Sequence, residues 1–207
     1  MSKTNDTLFI IFVKNLIPGQ VKTRLAKDIG MQGALDVYQY LVEATCEMAE
    51  DVYTDKAIFY SQYVEIEDIW DTDEYQLQVQ TGNGLGERMA NAFKWGFNKG
   101  YKKVVLIGTD CFDLKVEHVE EAIDELDNNE LVVGPAKDGG FYLIGLNKFQ
   151  PSLFEGKEYS HDKVLQELLT EVANLGSEFH LMETLSDIDT LQDLKDSSID
   201  FEFVEGE

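Results

Sequence analysis

Two acidic segments occupy positions where an α/β protein places metal-binding side chains. Asp110 follows the apolar run VVLI and the pair Gly108-Thr109, and the segment Asp187-Ile188-Asp189-Thr190 precedes a short helical pattern. Carboxylate oxygens suit Mg²⁺ or Mn²⁺, which bridge the oxygens of a diphosphate. The alternative for Asp110 is to cap the following helix, a role that Asp113 fills equally well. Asp189 likewise either caps the helix that follows it or joins the metal site.

The segment 7–27 is basic, although the protein as a whole is acidic. It contains no Asp or Glu, whereas 40 of the 207 residues are acidic. A Pro18-Gly19 turn follows its apolar strand pattern, and its cations are Lys14, Lys22, Arg24 and Lys27. Free N–H groups and the dipole at a helix N-terminus favour phosphate, so the segment predicts an anion site. The alternative is a solvated basic patch that offsets acidic neighbours.

Arginine occurs at two positions only, Arg24 and Arg88, among 17 basic residues. Each follows a glycine-bearing loop, PGQVKTRLA in one case and TGNGLGERMA in the other. A planar, bidentate donor suits phosphate, so we expect both to contact ligand rather than to form structural ion pairs. Glycines such as Gly86 let the backbone of the second loop approach a ligand closely.

Two common nucleotide-binding motifs are absent. Val21 stands directly before Lys22-Thr23, where a P-loop requires Gly. The glycines of the second loop are spaced G-x-G-x-G and do not follow the first strand, so the dinucleotide fingerprint also fails. A P-loop ATPase and a dinucleotide-binding dehydrogenase are therefore not indicated.

The segment Asp138-Gly139-Gly140 lies between two strand patterns. It is either a hairpin turn, for which Asp-Gly is a strong signal, or one side of a sugar pocket floored by Phe141 and Tyr142. The three His do not form a metal-binding pattern. His161 is either a base or a residue at a helix N-terminus, and we favour the second interpretation.

Strand and helix patterns alternate along the chain, which predicts an α/β sandwich with a mostly parallel sheet. Strands are predicted at 7–13, 57–60, 77–79, 104–107, 131–133, 141–146 and 179–182. Helices are predicted at 22–52 with a break at Gly30, and at 85–97, 116–126, 163–175 and 190–196. Ligands bind such sheets at the carboxyl ends of the strands, where the loops described above begin.

Composition narrows the class of protein. The 17 basic and 40 acidic residues give a charge of −23, which argues against nucleic acid as a partner. No apolar run is long enough for a membrane span, and no signal-peptide cleavage site follows the N-terminal apolar stretch. Cys46 and Cys111 do not form a disulfide framework, so we expect a cytoplasmic protein with reduced thiols. We expect a single domain over 1–207, with an acidic tail from about residue 196 that is an edge strand or disordered.

Five segments together resemble the bacterial DUF2064 family: KNLIPGQVKTRLA, GLGERM, GTDCFDL, GPAKDGGFYLIGL and LSDIDTLQDL. They occur in family order over residues 8–194. Proteins of this family are similar to nucleotide-diphospho-sugar transferases of the GT-A fold. The resemblance implies a three-layer α/β/α sandwich with a mixed, mostly parallel sheet and a nucleotide-sugar pocket.

The resemblance also implies roles for individual residues. The positions that match the nucleotide-phosphate loop are Lys14, Gly19, Lys22 and Arg24. Asp110 matches the strand-end acid that holds the metal, and Asp189 matches a second acid on the metal side. Asp138, Gly139 and Gly140 match the segment that faces the acceptor or sugar. The chain departs from the family at Phe112, where Pro is usual, and at Tyr159-Ser160-His161, where a Trp-Ser-Thr-like stretch is expected.

These features predict a metal-dependent transferase that acts on a nucleoside-diphosphate sugar and a small-molecule acceptor, with Mg²⁺ or Mn²⁺ as cofactor. Asp110 and Asp138 are the candidate catalytic residues, and Asp138 is the candidate base for an acceptor hydroxyl. One alternative is a nucleotidyltransferase that joins a nucleoside triphosphate to a phosphorylated small molecule and releases pyrophosphate. A second is a non-catalytic module that binds nucleotide or protein.

Overall fold

The computed structural model of the protein describes residues 6–159 and 161–199, and in these residues seven strands form one sheet flanked by helices. The strands are β1 (Thr7–Val13), β2 (Asp55–Tyr60), β3 (Tyr75–Val79), β4 (Lys103–Ile107), β5 (Leu131–Pro135), β6 (Phe141–Leu146) and β7 (Phe179–Leu181). The helices are α1 (Ala26–Glu50), α2 (Leu85–Asn98), α3 (Val116–Glu125), α4 (Val164–Leu175) and α5 (Leu191–Asp196).

The strand order is β3-β2-β1-β4-β6-β5-β7. Strand β6 runs antiparallel to β4 and β5, because it follows β5 through a tight turn, and the remaining pairs are parallel. The sheet is therefore mixed and mostly parallel, as predicted. Strands β1, β4 and β5 point the same way, so their carboxyl ends meet at one edge.

Strand β1 shows how the sheet is covered on both faces. Every residue of TLFIIFV is buried, and side chains alternate between faces along a strand. On one face Phe9, Ile11 and Val13 pack with residues of α1 and α3. On the other face Leu8, Ile10 and Phe12 pack with residues of α2 and α4. These two clusters define the predicted three-layer α/β/α sandwich.

The main departure from the predicted elements concerns the start of α1. The helix begins at Ala26, not at Lys22, although the Lys22 carbonyl oxygen already accepts a hydrogen bond from the Ala26 N–H at 2.8 Å. Lys22 has a φ of 45°, which belongs to a turn and not to a helix. The predicted break is confirmed at Gly30, where φ is 77° and ψ is 164°.

Three further expectations concern the chain as a whole. Cys46 and Cys111 are both buried and unbridged. Across the described ranges, none of the helices combines the length and apolarity that crossing a bilayer requires. Helix α5 ends at Asp196, and residues 200–207 of the expected acidic tail lie outside the described residues.

Candidate functional site

A cleft of about 710 Å³ opens at the edge where β1, β4 and β5 end. The predicted site residues that line it are Lys14, Arg24, Arg88, Asp110, Asp138, Gly140 and Asp189. Its walls also include apolar side chains, among them Phe12, Met89 and Phe141. The cations and the carboxylates that the sequence places far apart therefore share one cavity.

Asp110 faces this cleft and does not cap the helix that follows it. Helix α3 begins at Val116, and its N-cap residue is Lys115, whose backbone N–H donates to His118 Nδ1 at 2.9 Å. Neither Asp110 nor Asp113 occupies the cap position. The carboxylate of Asp110 is thus available to the cavity and its cations.

The segment that carries Asp189 reaches Asp110 through backbone contacts. Leu185 bridges to Ala136 beyond the end of β5, and the Ile188 N–H donates to the Asp110 carbonyl oxygen at 2.9 Å. Ile188 is buried in an apolar cluster with residues of α1 and α5. Its two acidic neighbours, Asp187 and Asp189, both line the cleft.

Asp189 does not cap α5. The N-cap residue is Thr190, whose hydroxyl accepts a hydrogen bond from the Asp193 N–H at 3.3 Å, while Asp193 Oδ2 accepts from the Thr190 N–H at 2.7 Å. This reciprocal pair is a capping box. The sequence allowed Asp189 either to cap α5 or to join the metal site, and the structure assigns the cap to Thr190.

Lys22 lies behind the carboxylates and not in the cleft. Its side chain is fully buried, forms an ion pair with Asp110 and lies 3.4 Å from Asp189 Oδ1. Burial alone would lower the pKa of Lys22, but the two carboxylates outweigh it and raise the pKa above its ordinary value. The sequence predicts that Lys22 contacts a ligand phosphate. In this buried position its ammonium group contacts the two carboxylates instead.

Two exposed cations pair with the same carboxylates from the cleft side. Lys14 Nζ lies 3.8 Å from Asp110 Oδ2, and an Arg24 terminal nitrogen lies 3.9 Å from Asp189 Oδ2. Burial would raise the pKa of Asp110, but Lys22 and Lys14 hold it below its ordinary value. Asp110 is accordingly a carboxylate at neutral pH.

Arg88 projects from the first turn of α2 into the same cleft. Its Nε donates to the Gly82 carbonyl oxygen at 3.3 Å, and a terminal nitrogen donates to Gln80 Oε1 at 3.4 Å. Both partners are neutral, so the positive charge of Arg88 is directed at the cleft without a carboxylate partner among the described residues.

Three glycines predicted at the site lie outside the lining of the cleft within the described residues. Gly19 has a φ of 76° and forms part of the turn before α1. Gly86 packs against the loop before α4, because a Cβ there would lie 2.6 Å from the Tyr159 ring. Gly139 has a φ of 90°, and a Cβ there would lie 2.1 Å from the Asp162 carbonyl oxygen.

The Asp138-Gly139-Gly140 segment is both a turn and part of the cleft wall. The Gly140 N–H donates to Asp138 Oδ1 at 2.8 Å, which closes the turn, and Asp138 still lines the cavity. His161 also lines the cavity, and its Nδ1 accepts from the Lys163 N–H at 3.1 Å just before α4. That contact agrees with its interpretation as a residue at a helix N-terminus.

Two residues of the site, Asp187 and Tyr38, received no role in the sequence analysis, although Asp187 belongs to the acidic segment that it singled out. Burial raises the pKa of Asp187 to about 7, and the charges of Asp110, Asp138 and Asp189 add to this effect. Tyr38 is buried, its hydroxyl accepts from the Lys14 N–H at 2.8 Å, and it shares a hydrogen bond of 2.9 Å with Thr109 Oγ1. Tyr38 falls on the apolar stripe of α1, so the pattern indicated a core residue and nothing more.

The donor set fits a divalent cation that is completed by ligand oxygens. No group of three or more His, Cys, Asp or Glu side chains is arranged to hold a metal ion within residues 6–159 and 161–199. Asp110 and Asp189 nevertheless converge on one cation, Lys22, and both face the cleft. Mg²⁺ is commonly bound through one or two carboxylates together with phosphate oxygens and water, so two acids suffice.

Of the two expected departures from the family pattern, one lines the cleft and the other does not among the described residues. Phe112, where the resemblance leads one to expect Pro, packs against a cluster of α1 and α5 residues, with its ring centroid 5.7 Å from that of Tyr40. Tyr159 and His161 line the cleft, whereas Ser160 lies outside the described residues.

Comparison with solved structures defines the class of protein. A candidate nucleotide-diphospho-sugar transferase from Desulfovibrio desulfuricans G20 is 32% identical and superposes with a TM-score of 0.85, over 92% of this chain and 85% of that one. The chain thus has the fold of nucleotide-diphospho-sugar transferases. It belongs to the DUF2064 family, described as an uncharacterized protein conserved in bacteria, whose profile matches residues 44–161.

More distant structures share the fold alone. The 4-diphosphocytidyl-2C-methyl-D-erythritol synthase of Anaerococcus prevotii is 11% identical with a TM-score of 0.58, over 92% of this chain and 93% of that one. A cytidylyltransferase of Leptospira borgpetersenii is 15% identical with a TM-score of 0.54, over 92% and 84% of the two chains. Comparison with curated proteins gives no match.

Proposed function

We propose that the protein is a metal-dependent transferase that acts on a nucleoside-diphosphate sugar. The observation that carries the proposal is the cluster in which Asp110 and Asp189 meet Lys14, Lys22 and Arg24 at the carboxyl edge of the sheet. A cavity of about 710 Å³ beside this cluster is large enough for a nucleotide-sized ligand. The Desulfovibrio relative, itself a candidate nucleotide-diphospho-sugar transferase, supports the same class of donor.

Three cations that line the cleft bind the diphosphate in this proposal. Lys14, Arg24 and Arg88 line the cleft on different segments, so they can surround a polyanion. Arginine offers paired N–H donors to phosphate oxygens, and lysine adds a compact charge. Lys22 has another role: it holds the carboxylates of Asp110 and Asp189 in place from behind.

Asp110 and Asp189 would hold Mg²⁺ or Mn²⁺, since both face the cleft and converge on Lys22. The chemistry that such an ion would supply is neutralisation of charge on the departing diphosphate. The protein mainly positions the reactants, since binding two reactants in the right geometry removes much of the entropic barrier.

Asp138 is the base for a small-molecule acceptor. The acceptor hydroxyl oxygen attacks the anomeric carbon of the sugar, the bond to the diphosphate oxygen breaks, and the hydroxyl proton passes to the carboxylate. The Gly140 N–H fixes one oxygen of Asp138 at 2.8 Å, so the other oxygen is the one that accepts the proton. Gly140 also lines the cleft beside Asp138 and carries no side chain, which leaves room for the acceptor.

Nucleotidyl transfer is the alternative that a specific observation favours. Three cleft cations suit a triphosphate as well as a diphosphate, and cytidylyltransferases share the fold. In this reaction a phosphate of the small molecule attacks the α-phosphorus, and pyrophosphate leaves. A non-catalytic nucleotide- or protein-binding module is the remaining alternative, and it requires no metal.

A screen for the leaving group separates these functions. The protein is incubated with nucleoside-diphosphate sugars or with nucleoside triphosphates and phosphorylated sugars, with and without Mn²⁺. Release of nucleoside diphosphate supports glycosyl transfer, release of pyrophosphate supports the alternative, and binding without turnover or metal dependence supports the module. Thermal shift selects ligands beforehand, because a ligand at 100 times its Kd stabilises by about 2.7 kcal/mol.

The residue test compares two neighbouring carboxylates. Asp110→Asn should lower turnover by at least about a hundredfold, since it removes charge at the site of transfer. Asp113→Asn is the matched control, because Asp113 is exposed three residues further along and does not line the cleft among the described residues. Equal turnover of the two variants would refute the assigned role of Asp110.

A further inference from the structure

The two carboxylates of the proposed metal site already have counterions from the protein itself. Asp110 pairs with Lys14 and Lys22, and Asp189 pairs with Lys22 and Arg24. Each of the two carboxylates therefore has two cations beside it. A divalent cation that approaches these oxygens must compete with those cations, so its binding to the free protein is weakened.

The three counterions differ in how easily they can leave. The Lys22 side chain is 0% exposed, whereas those of Lys14 and Arg24 are 50% and 67% exposed. The pairs of Lys14 and Arg24, at 3.8 Å and 3.9 Å, are close to the limit for an ion pair. Exposed pairs of this kind are weak, because solvent and salt screen the two charges. Lys22 is a fixed counterion, and Lys14 and Arg24 are releasable ones.

A phosphate group is a stronger partner for the releasable cations than their present carboxylates. Both cations line the cleft, and arginine binds phosphate through two parallel N–H···O contacts. A ligand phosphate also supplies the oxygens that a site with only two carboxylates lacks. Phosphate binding thus draws cations away from Asp110 and Asp189 and at the same time completes the donor set for a metal.

We propose that Lys14 and Arg24 exchange their carboxylate partners for the phosphates of the ligand, and that this exchange makes Asp110 and Asp189 available to the divalent cation. The inference rests on the proposed function, from which it takes the metal site. It adds a coupling: phosphate and metal bind with positive cooperativity, and the protein without phosphate binds the metal weakly. By linkage, the metal strengthens phosphate binding by the same factor.

Binding of Mn²⁺ alone, measured by electron paramagnetic resonance, tests the exchange without any turnover. In the Lys14→Gln/Arg24→Gln variant the carboxylates keep only Lys22, so Mn²⁺ should bind at least about tenfold more tightly than to the wild type. Arg88→Gln is the matched control: it removes a cleft cation that pairs with neither carboxylate, so Mn²⁺ affinity should stay at the wild-type value. Inorganic pyrophosphate without metal should bind more weakly to both variants.

The outcomes separate this inference from the proposed function. In one outcome Asp110→Asn abolishes Mn²⁺ binding, but the double variant does not bind Mn²⁺ more tightly than the wild type. This result overturns the exchange and is consistent with the metal site. Absence of Mn²⁺ binding in all variants, or binding that Asp110→Asn leaves unchanged, overturns both. Lys14 and Arg24 are exposed, so their substitution removes no core contact. Arg24→Gln alone provides a second and milder variant, and circular dichroism checks that both variants are folded.

Discussion

Lys22 and Asp110 form an ion pair at the base of the cleft, with the lysine side chain fully buried and the carboxylate 30% exposed. A buried ammonium group is costly unless it is paired, and the pKa of Lys22 is raised because Asp110 and Asp189 more than offset its burial. The conformation of the basic loop before α1 therefore depends on the two acidic segments, and the positions of their carboxylates depend on Lys22. The positions of the proposed ligand-binding groups follow from this pair.

Replacement of Lys22 by Met should destabilise the fold. Two neighbouring carboxylates lose their shared counterion, and because both are partly exposed we expect the free energy of unfolding to fall by about 1–3 kcal/mol. Met is unbranched at Cβ like Lys and only one atom shorter, so any backbone strain at the φ of 45° is common to the wild type and the variant. Urea unfolding measures the change. Lys27→Met, an exposed lysine in the first turn of α1, is the control, and an equal effect of the two substitutions would argue against the pair.

Tyr38 connects the ends of β1 and β4, and its hydroxyl can be removed without changing the ring. Tyr38→Phe leaves the Lys14 N–H and the Thr109 hydroxyl without their partner, so the free energy of unfolding should fall by about 1–2 kcal/mol. The variant should also bind pyrophosphate more weakly, since the backbone that carries Lys14 is less well fixed. Tyr40→Phe removes an exposed hydroxyl two residues away and should change neither quantity. A Tyr38→Phe variant that matches the wild type in both would contradict this role.

The sequence predicts the sheet and the position of Asp110 well, because both depend on local patterns. The apolar run of β1 indicates a strand covered on both faces, and a carboxylate directly after such a strand lies at the ligand-binding edge. The destination of the Lys22 side chain does not follow from local pattern. The position of this side chain depends on Asp189, which is far away in the sequence. The segment of Asp189 lies next to Asp110 because β7 pairs in parallel with β5 and Leu185 forms a bridge to Ala136.

The sequence also could not decide whether each of three Asp residues caps a helix or belongs to the site. Asp110, Asp113 and Asp189 are all suitable N-cap residues by type. Helix α3 begins later than either of the first two would allow, and α5 is capped by Thr190. Helix starts are the least certain part of a sequence-based assignment, since a shift of one or two residues changes which side chain is the cap.

Asp187 should give the protein a distinctive dependence of stability on pH. Burial and nearby carboxylates raise its pKa from 3.8 to about 7, so the folded state holds the proton more tightly than the unfolded state. Its contribution to stability is complete below pH 4 and is lost as pH rises to about 7, with an upper limit of about 4 kcal/mol. Asp187→Asn removes this loss, so the variant should gain stability over the wild type at pH 8 and not at pH 4.

Urea unfolding at a series of pH values, without divalent metal, measures this difference. Asp113→Asn alters an exposed carboxylate and should follow the wild-type curve. Parallel curves for Asp187→Asn and the wild type between pH 4 and pH 8 would show that Asp187 is ionised without cost in the folded protein.

Gly139 and Gly140 are adjacent glycines that should respond differently to the same added methyl group. At Gly139 φ is 90°, and a Cβ would lie 2.1 Å from the Asp162 carbonyl oxygen, which cannot move without shifting the start of α4. Gly139→Ala should therefore lower the free energy of unfolding by at least about 2 kcal/mol, since the backbone conformation alone costs about 1–2 kcal/mol. At Gly140 the nearest atom to a Cβ is Asp138 Oδ1 at 3.1 Å, the end of a side chain that needs to shift only slightly to make room. Gly140→Ala should cost less than about 1 kcal/mol in thermal unfolding while weakening acceptor binding beside Asp138, and equal losses of stability at the two positions would contradict the close approach of Gly139 to Asp162.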